Sequence, residues 1–408
     1  MENNKFFRRN FTLNILWEAT WGLGSGFVVP ATILVIFLTH FTSSKMVIGL
    51  LFTIPVISSA IAPIFSAYYT GRLTLKKKIL LYLHLAYLAC WLALAIFAFF
   101  SARLNPRYAL FIFFFFYGLS SFIIGIIIPP YFDYIGKVIP RNRGIYFGIA
   151  LSSSAGLAII GALLASRALD NFSFPASYAV CFSASFLIQF LSLIFFIFNV
   201  EHDNSAGSSL TDARFKFSSY LHTLFRILKE DKSYFNLLLV QIIISFGAMS
   251  YSFYTVYANS ILSLSGNLLG RLTIMLVLGQ VVAGIILGVV GDIQGHRFSL
   301  GIAILCGIGS AIIAIFGRSI GSFQAIFFLA GISLTSSYIE ITNLTLEVAT
   351  IDERSSYAAL NSTLVGPFAA IAPLLGGILI CNISYTFVFG LTAVVLIIGF
   401  LMVLFLKW

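Results

Sequence analysis

Charge is what this sequence has least of. Only 9% of its 408 residues are Asp, Glu, Lys or Arg, against about 25% in a soluble domain, which excludes an ordinary water-soluble globule. Acids are the scarcer sign, with 14 Asp and Glu against 24 Lys and Arg. The four cysteines, at 90, 181, 306 and 381, all fall inside apolar runs and form no Cys-x-x-Cys pair. They read as small buried hydrophobes, so neither a disulfide framework nor a metal centre is expected. Asp-x-Asp, His-Glu-x-x-His and Walker-type spacings are missing too, as is any sizeable loop on the outer side. That weighs against a polytopic enzyme acting on lipid-linked sugars, against an ATP-driven pump, and against any cofactor. No filter-like or ring-forming segment suggests a channel.

What the chain does have is apolar length. Sixty per cent of it is hydrophobic, and run after run exceeds the roughly 18 residues that signal a membrane helix. Backbone in lipid must satisfy its own hydrogen bonds, so these runs are helices. Barrel strands would alternate in polarity over about ten residues, and these runs do not. Twelve spans are expected, near 11–39, 46–70, 77–101, 108–132, 143–167, 176–199, 233–258, 268–290, 298–316, 321–347, 356–380 and 384–406. Lys5, Arg8 and Arg9 before the first run imitate a signal sequence. The run's length, its Glu18 and the lack of a convincing cleavage site make it a retained first helix instead. Pro129-Pro130 should bend or break the fourth helix.

The one long polar segment, about 200 to 232, splits the chain into six-helix halves, 1–200 and 233–408, joined by a loop at 201–232. Within that loop Phe217 to Leu228 has the spacing of a surface helix, with Phe217, Leu221, Leu224, Phe225 and Leu228 on one face. The basic residues set the orientation. With both termini cytoplasmic, 18 of the 24 Lys and Arg fall on the cytoplasmic side. The other side holds only Lys45, Arg103, Arg107, Arg167, Arg271 and Arg318. This explains the net charge of +10 without nucleic acid as a partner. It describes a multi-pass protein of a cytoplasmic or inner membrane. The halves also repeat faintly: aligning Arg143 with Arg354 aligns Tyr146 with Tyr357, as in transporters built from duplicated halves.

Between the eighth and ninth runs the chain reads Gly288-Val-Val-Gly-Asp-Ile-Gln-Gly-His-Arg297. A tight turn must join two membrane helices here, and its glycines allow bending and close packing. Asp292 is placed to cap the next helix, with Arg297 beside it. The pattern Gly288, Asp292, Gly295, Arg297, with the small Gly291 before the acid, resembles the loop signature of the major facilitator superfamily. The turn from Pro140 to Gly148 and the six-plus-six layout extend the resemblance over nearly the whole chain. It implies an all-α integral membrane fold of two six-helix bundles related by pseudo-two-fold symmetry. It also implies a monomeric secondary transporter without enzymatic activity, whose partners are a small molecule, protons and lipid. The chain departs from the pattern twice. The loop between the second and third helices, Gly71 to Lys78, lacks the acid, and the fifth helix lacks the Gly-Pro antiporter signature.

Charges within the bilayer cost some 2.5 kcal/mol or more each and are functional candidates by default. Glu18 lies roughly 10 Å along the first helix, among Asn14, Trp17 and Trp21. Glu340 lies at similar depth in the tenth, near Asn343. By the resemblance, helices 1, 4, 7 and 10 line a central cavity, which makes these two acids candidates for substrate or proton binding. The alternative is a structural hydrogen-bonding role. Gln241, Tyr251 and Tyr254 in the seventh helix and Gln280 in the eighth are further candidates for substrate contact. The family also pairs its loop signature with an acid at the end of helix 4 or 10. That suggests a latch using Gly288, Asp292, Gly295, Arg297, Asp133, Glu347, Arg143 and Arg354, with Arg297 near Glu347 and one of Lys76 to Lys78 near Asp133. A flippase for lipid or another amphipath on the same fold stays open as an alternative. With few basic residues in the cavity helices, neutral, cationic or amphipathic substrates are favoured over multiply charged phosphates.

Overall fold

The computed structural model describes residues 6–70, 73–141, 143–201, 226–349 and 354–406. Among these residues twelve helices are long and apolar enough to cross a membrane, and no strand occurs. They are α1 Phe7–Thr39, α2 Lys45–Thr70, α3 Lys77–Phe100, α4 Pro106–Val138, α5 Arg143–Asn171 and α6 Ala176–Ile197, then α7 Lys232–Leu262, α8 Gly266–Gln294, α9 His296–Phe316, α10 Ile320–Val348, α11 Arg354–Asn382 and α12 Tyr385–Phe405. Of the surface helix expected at 217–228, the part before residue 226 lies outside the described residues.

Two helices differ from expectation. α4 is not ended by its prolines but runs on to Val138. Pro130 has no N–H to give to the carbonyl four residues back, that of Ile126. Ser66 of α2 supplies the missing donor, its hydroxyl lying 2.6 Å from the Ile126 oxygen. In lipid such a substitute is what lets a proline sit inside a spanning helix. Conversely, α7 is not continuous. It is made of Lys232–Ser245, Ala248–Tyr251 and Tyr254–Leu262, with turns between them. α1 and α8 each contain one widened turn, at Pro30–Leu34 and Ala283–Leu287.

Contacts divide the chain into two compact units. One comprises Met1–Thr42, Ile57–Ser209 and Leu264–Ile274; the other comprises Ser43–Val56, Leu210–Ser263 and Met275–Trp408. The units therefore follow the two halves except for the starts of α2 and α8, which are traded. In the second unit the start of α2 is fastened to α11 by a 2.7 Å hydrogen bond from the Thr53 hydroxyl to the Ala370 carbonyl. In the first, the start of α8 meets α1 through Thr273 and Thr32, whose hydroxyls are 2.8 Å apart.

Apolar burial cannot drive helix association inside lipid, so close backbone approach takes its place. In the first unit a Cβ on Gly22 of α1 would lie 2.2 Å from the Ser154 carbonyl of α5. In the second unit a Cβ on Gly279 of α8 would lie 2.1 Å from the Phe328 carbonyl of α10, and one on Gly331 equally close to that of Leu276. These interlocks fix α5 on α1 and α10 on α8. Overpacking of this kind costs about 1–3 kcal/mol or more. Gly331→Val should therefore yield little folded protein by size-exclusion chromatography in detergent, and a markedly lower unfolding temperature. Gly284→Ala, whose Cβ would meet nothing within 4 Å, should leave both unchanged.

Candidate functional site

In the first unit the acid of interest is Glu18, half-buried on α1. Its Oε1 accepts a 2.6 Å hydrogen bond from the hydroxyl of Tyr131. That hydroxyl lies 3.3 Å from the hydroxyl of Tyr146, a residue with no exposed surface at the start of α5. Three helices thus converge on one carboxylate through two phenols. Behind it the unit is packed with rings. Trp17 is only 3% exposed, with ring centroids 4.8 Å from Phe196, 5.2 Å from His84 and 5.8 Å from Tyr131. Trp21 lies 5.4 Å from His84 and 5.3 Å from Tyr87. His84 places Nδ1 2.7 Å from the Leu80 carbonyl of its own helix, as a packing residue would. Asn14 is fully buried and bonds Asn199 and the Asn10 carbonyl, fastening α1 to the end of α6. Of the four α1 candidates, Trp17 and Asn14 face the unit's interior, while Glu18 and Trp21 are half-buried.

In the second unit Glu340 on α10 has no exposed surface. Its Oε2 lies 2.6 Å from Nδ1 of His296, and its Oε1 lies 3.0 Å from the hydroxyl of Ser299. The same hydroxyl is 2.9 Å from the Leu287 carbonyl. On its other side His296 turns Nε2 toward Asp292 at 3.8 Å and Glu347 at 3.7 Å. Asn343 approaches the ring at 3.4 Å. The loop glycines explain the fit. A Cβ on Gly291 would lie 2.7 Å from the imidazole and 2.8 Å from the Glu340 carboxylate, so only glycine leaves room for the pair. Gly295, with φ at +96°, makes the turn between α8 and α9, in the region that L side chains avoid. Gly288 has open space around it.

Two expectations for this loop are overturned. Asp292 does not cap α9, whose first turn has no side-chain cap. It belongs to the last turn of α8, where an i,i+4 spacing sets it beside His296. Among the described residues no ion pair joins Arg297 to Glu347. Its guanidinium donates to the carbonyls of Val403 and Leu404 at 2.6 and 2.9 Å, satisfying the end of α12. The side chain that reaches Glu347 is the neighbouring His296, at an unmarked position of the loop pattern. Sequence reasoning passed it over because a lone histidine beside a recognised motif carries no spacing signal of its own.

The remaining candidates are scattered. Tyr254 is 3% exposed, with its hydroxyl 3.0 Å from that of Ser310 and its ring 5.4 Å from Phe389. It packs within the second unit. Gln241 is also 3% exposed, and its amide nitrogen has no acceptor among the described residues. Tyr251 and Gln280 are half-buried, Tyr251 with its ring 5.9 Å from Phe52. The side chains of Arg143 and Arg354 lie outside the described residues. The tyrosines aligned with them do occupy matching places. Tyr146 at the start of α5 packs on Phe11 of α1 at 5.9 Å. Tyr357 at the start of α11 packs on Tyr234 of α7 at 4.5 Å. Tyr357 also donates to Asp231, the residue that caps α7.

At the end of the first unit that carries the basic loops, the acid missing between α2 and α3 is replaced from elsewhere. Glu201, just beyond α6, accepts from the Lys76 and Lys77 backbone amides at 2.9 and 2.7 Å. It thereby caps the positive end of α3, with Lys137 at 3.8 Å. Lys76 lies 3.7 Å from Asp133 at the end of α4 and also donates to the Thr70 carbonyl. Burial lowers the Lys76 pKa, partly offset by Asp133. The Glu201 side chain is 2% exposed, the Asp133 side chain 58%. Glu201→Ala should therefore cost about 1.5–3 kcal/mol, as expected for hydrogen bonds to a buried charge. Asp133→Asn should cost less than about 1 kcal/mol. Thermal unfolding of the two variants in one detergent checks the ranking.

Comparison with known proteins agrees with this architecture. No curated protein matches the chain. Among solved structures, a point mutant of the nucleoside transporter NupG aligns with a TM-score of 0.69 at 13% identity, covering 98% of this chain and 99% of that one. A bacterial homologue of the human lysosomal transporter Spinster gives 0.65 at 13%, covering 98% and 96%. A POT family transporter in complex with 5-aminolevulinic acid gives 0.70 at 14%, covering 98% and 95%. Identities this low establish the fold alone. The family model of the Major Facilitator Superfamily matches residues 18–270 and again 237–408, and the chain is therefore a membrane transporter belonging to that superfamily.

Proposed function

We propose that the chain is a secondary active transporter that moves a small molecule by alternating access, coupled to protons through Glu340 and Glu18. The observation that carries the reading is the Glu340 carboxylate, with no exposed surface and with histidine and serine partners on α9. A carboxylate is retained in so apolar a chain at a cost. Its ability to take up and release a proton is a use that a serine or glutamine could not replace. Glu18, held by a phenol that can donate whatever the carboxylate's charge, is the second candidate. No nucleotide-binding motif occurs in the sequence to supply another source of energy.

The substrate class follows from the same scarcity of charge. Neutral, cationic or amphipathic molecules suit these helices better than multiply charged phosphates. Nucleosides, a thioalcohol-conjugated peptide and 5-aminolevulinic acid, the compounds named for the structural neighbours, form a first screening panel. A ligand that raises the unfolding temperature of the purified protein then enters proteoliposome assays. Under an imposed proton gradient the wild type should concentrate it. At least one of Glu18→Gln and Glu340→Gln should abolish accumulation while sparing counterflow exchange. Undiminished accumulation by both variants and by the double variant sinks proton coupling through these residues and points to another ion or to facilitated diffusion.

A further inference from the structure

The charged groups around Glu340 are ordered by exposure. Glu340 itself has none, His296 is 13% exposed, Glu347 is 58% and Asp292 is 78%. Each carboxylate oxygen of Glu340 is taken: Oε2 by His296 Nδ1, Oε1 by the Ser299 hydroxyl. Gly291 closes the carboxylate off on the α8 side. Among the described residues the imidazole is the one titratable side chain that contacts the buried acid and also lies within 4 Å of the exposed pair, through opposite nitrogens. A neutral imidazole carries a donor on one nitrogen and an acceptor on the other, so it can take a proton on one side and release one on the other.

Ser299 adds a second observation, independent of the histidine. Its single O–H has two acceptors within reach, Glu340 Oε1 at 3.0 Å and the Leu287 carbonyl at 2.9 Å. When Glu340 is ionised the hydroxyl donates to it. When Glu340 is protonated on Oε2, that O–H can donate back to His296 Nδ1, while Oε1 still accepts from the Ser299 hydroxyl. The buried acid is therefore hydrogen-bonded in both charge states, as a group that cycles between them must be. A purely structural carboxylate needs only one.

We propose that Glu340, His296 and Ser299 form a proton-binding site on α9 and α10 that exchanges with water through His296, with Asp292 and Glu347 collecting the proton. The proposal deepens the proton-coupling reading above and rests on it for its physiological use. The separations of 3.7 and 3.8 Å from His296 Nε2 are too long for direct hydrogen bonds, so exchange with the exposed carboxylates runs through solvent water. A proton from water, held briefly by either exposed carboxylate, passes to Nε2. The proton on Nδ1 moves to Glu340 Oε2. Net, one proton leaves solution, one carboxylate is neutralised and the imidazole is left in its other tautomer, with no other bond made or broken. Release runs the same steps in reverse: Glu340 returns its proton to Nδ1, Nε2 gives one to water, and the imidazole is back in its first tautomer. Among the described residues, the charged and titratable groups facing the imidazole are Asp292 from α8 and Glu340 and Glu347 from α10. On α9 itself, Arg297 is turned toward the α12 carbonyls.

The test needs no substrate, since the probe is the proton. The purified full chain in lipid nanodiscs is subjected to a pH drop while its infrared spectrum is followed in time. A carboxylic-acid C=O band should appear in the wild type and be missing in Glu340→Gln. In His296→Gln the same band should form more slowly by about a hundredfold, the low end of what a positioned acid–base group contributes, and added imidazole should restore the rate. Asp292→Asn combined with Glu347→Gln alters only exposed side chains. It should slow the band by a smaller factor, and it serves if the histidine variant does not fold. The proposal is overturned if no band is lost in Glu340→Gln. It is overturned equally if a folded His296→Gln, or the double variant in its place, forms the band at the wild-type rate. Failure of gradient-driven uptake with this relay intact would instead sink the coupling reading and leave the site standing.

Discussion

Every backbone polar group within the bilayer must find its partner inside the protein, and this requirement organises the molecule from end to end. It dictates helices wherever the chain is apolar. It also dictates what happens where a helix is flawed. Two successive prolines would leave carbonyls without donors, yet α4 runs through them because Ser66 of α2 donates to one of the freed oxygens. The helix ends obey the same demand. Arg297 serves the last carbonyls of α12, while Glu201 and Asp231 accept from the first amides of α3 and α7.

This accounts for how so few charges are used. With 14 acids in 408 residues, several are spent where a helix end or loop must be held, while Glu18 and Glu340 stand within spanning helices. The two intramembrane sites are unlike each other. Glu18 is held by a phenol, which remains a neutral donor over the working pH range. Glu340 is held by an imidazole, whose other nitrogen is turned toward two exposed acids, Asp292 and Glu347.

The loop between α8 and α9 shows how a motif can be right in outline and incomplete in mechanism. Its glycines are needed, but for different reasons: Gly295 for its backbone angle, Gly291 for the Glu340–His296 pair that rests against it. Its arginine closes a helix end, and among the described residues no ion pair joins it to the acid expected of it. The histidine between glycine and arginine, which the pattern leaves free, makes the connection to α10.

The twelve spanning helices of the described residues, their approximate limits and the membership of a transporter superfamily were legible in the sequence. Apolar run length is a local property, and lipid allows it only one backbone solution. Glu18 and Glu340 were legible as candidates for the same reason, since an acid within such a run is costly wherever it points. The tertiary structure alone decided which polar groups meet. That Glu340 lies against His296, 44 residues away, depends on the side of α10 that faces α9, and the apolar character all round these helices hides their facing. The interlocked backbones at Gly279 and Gly331 set that rotation. Small residues recur on many helix faces, so packing in three dimensions chose which of them became contacts.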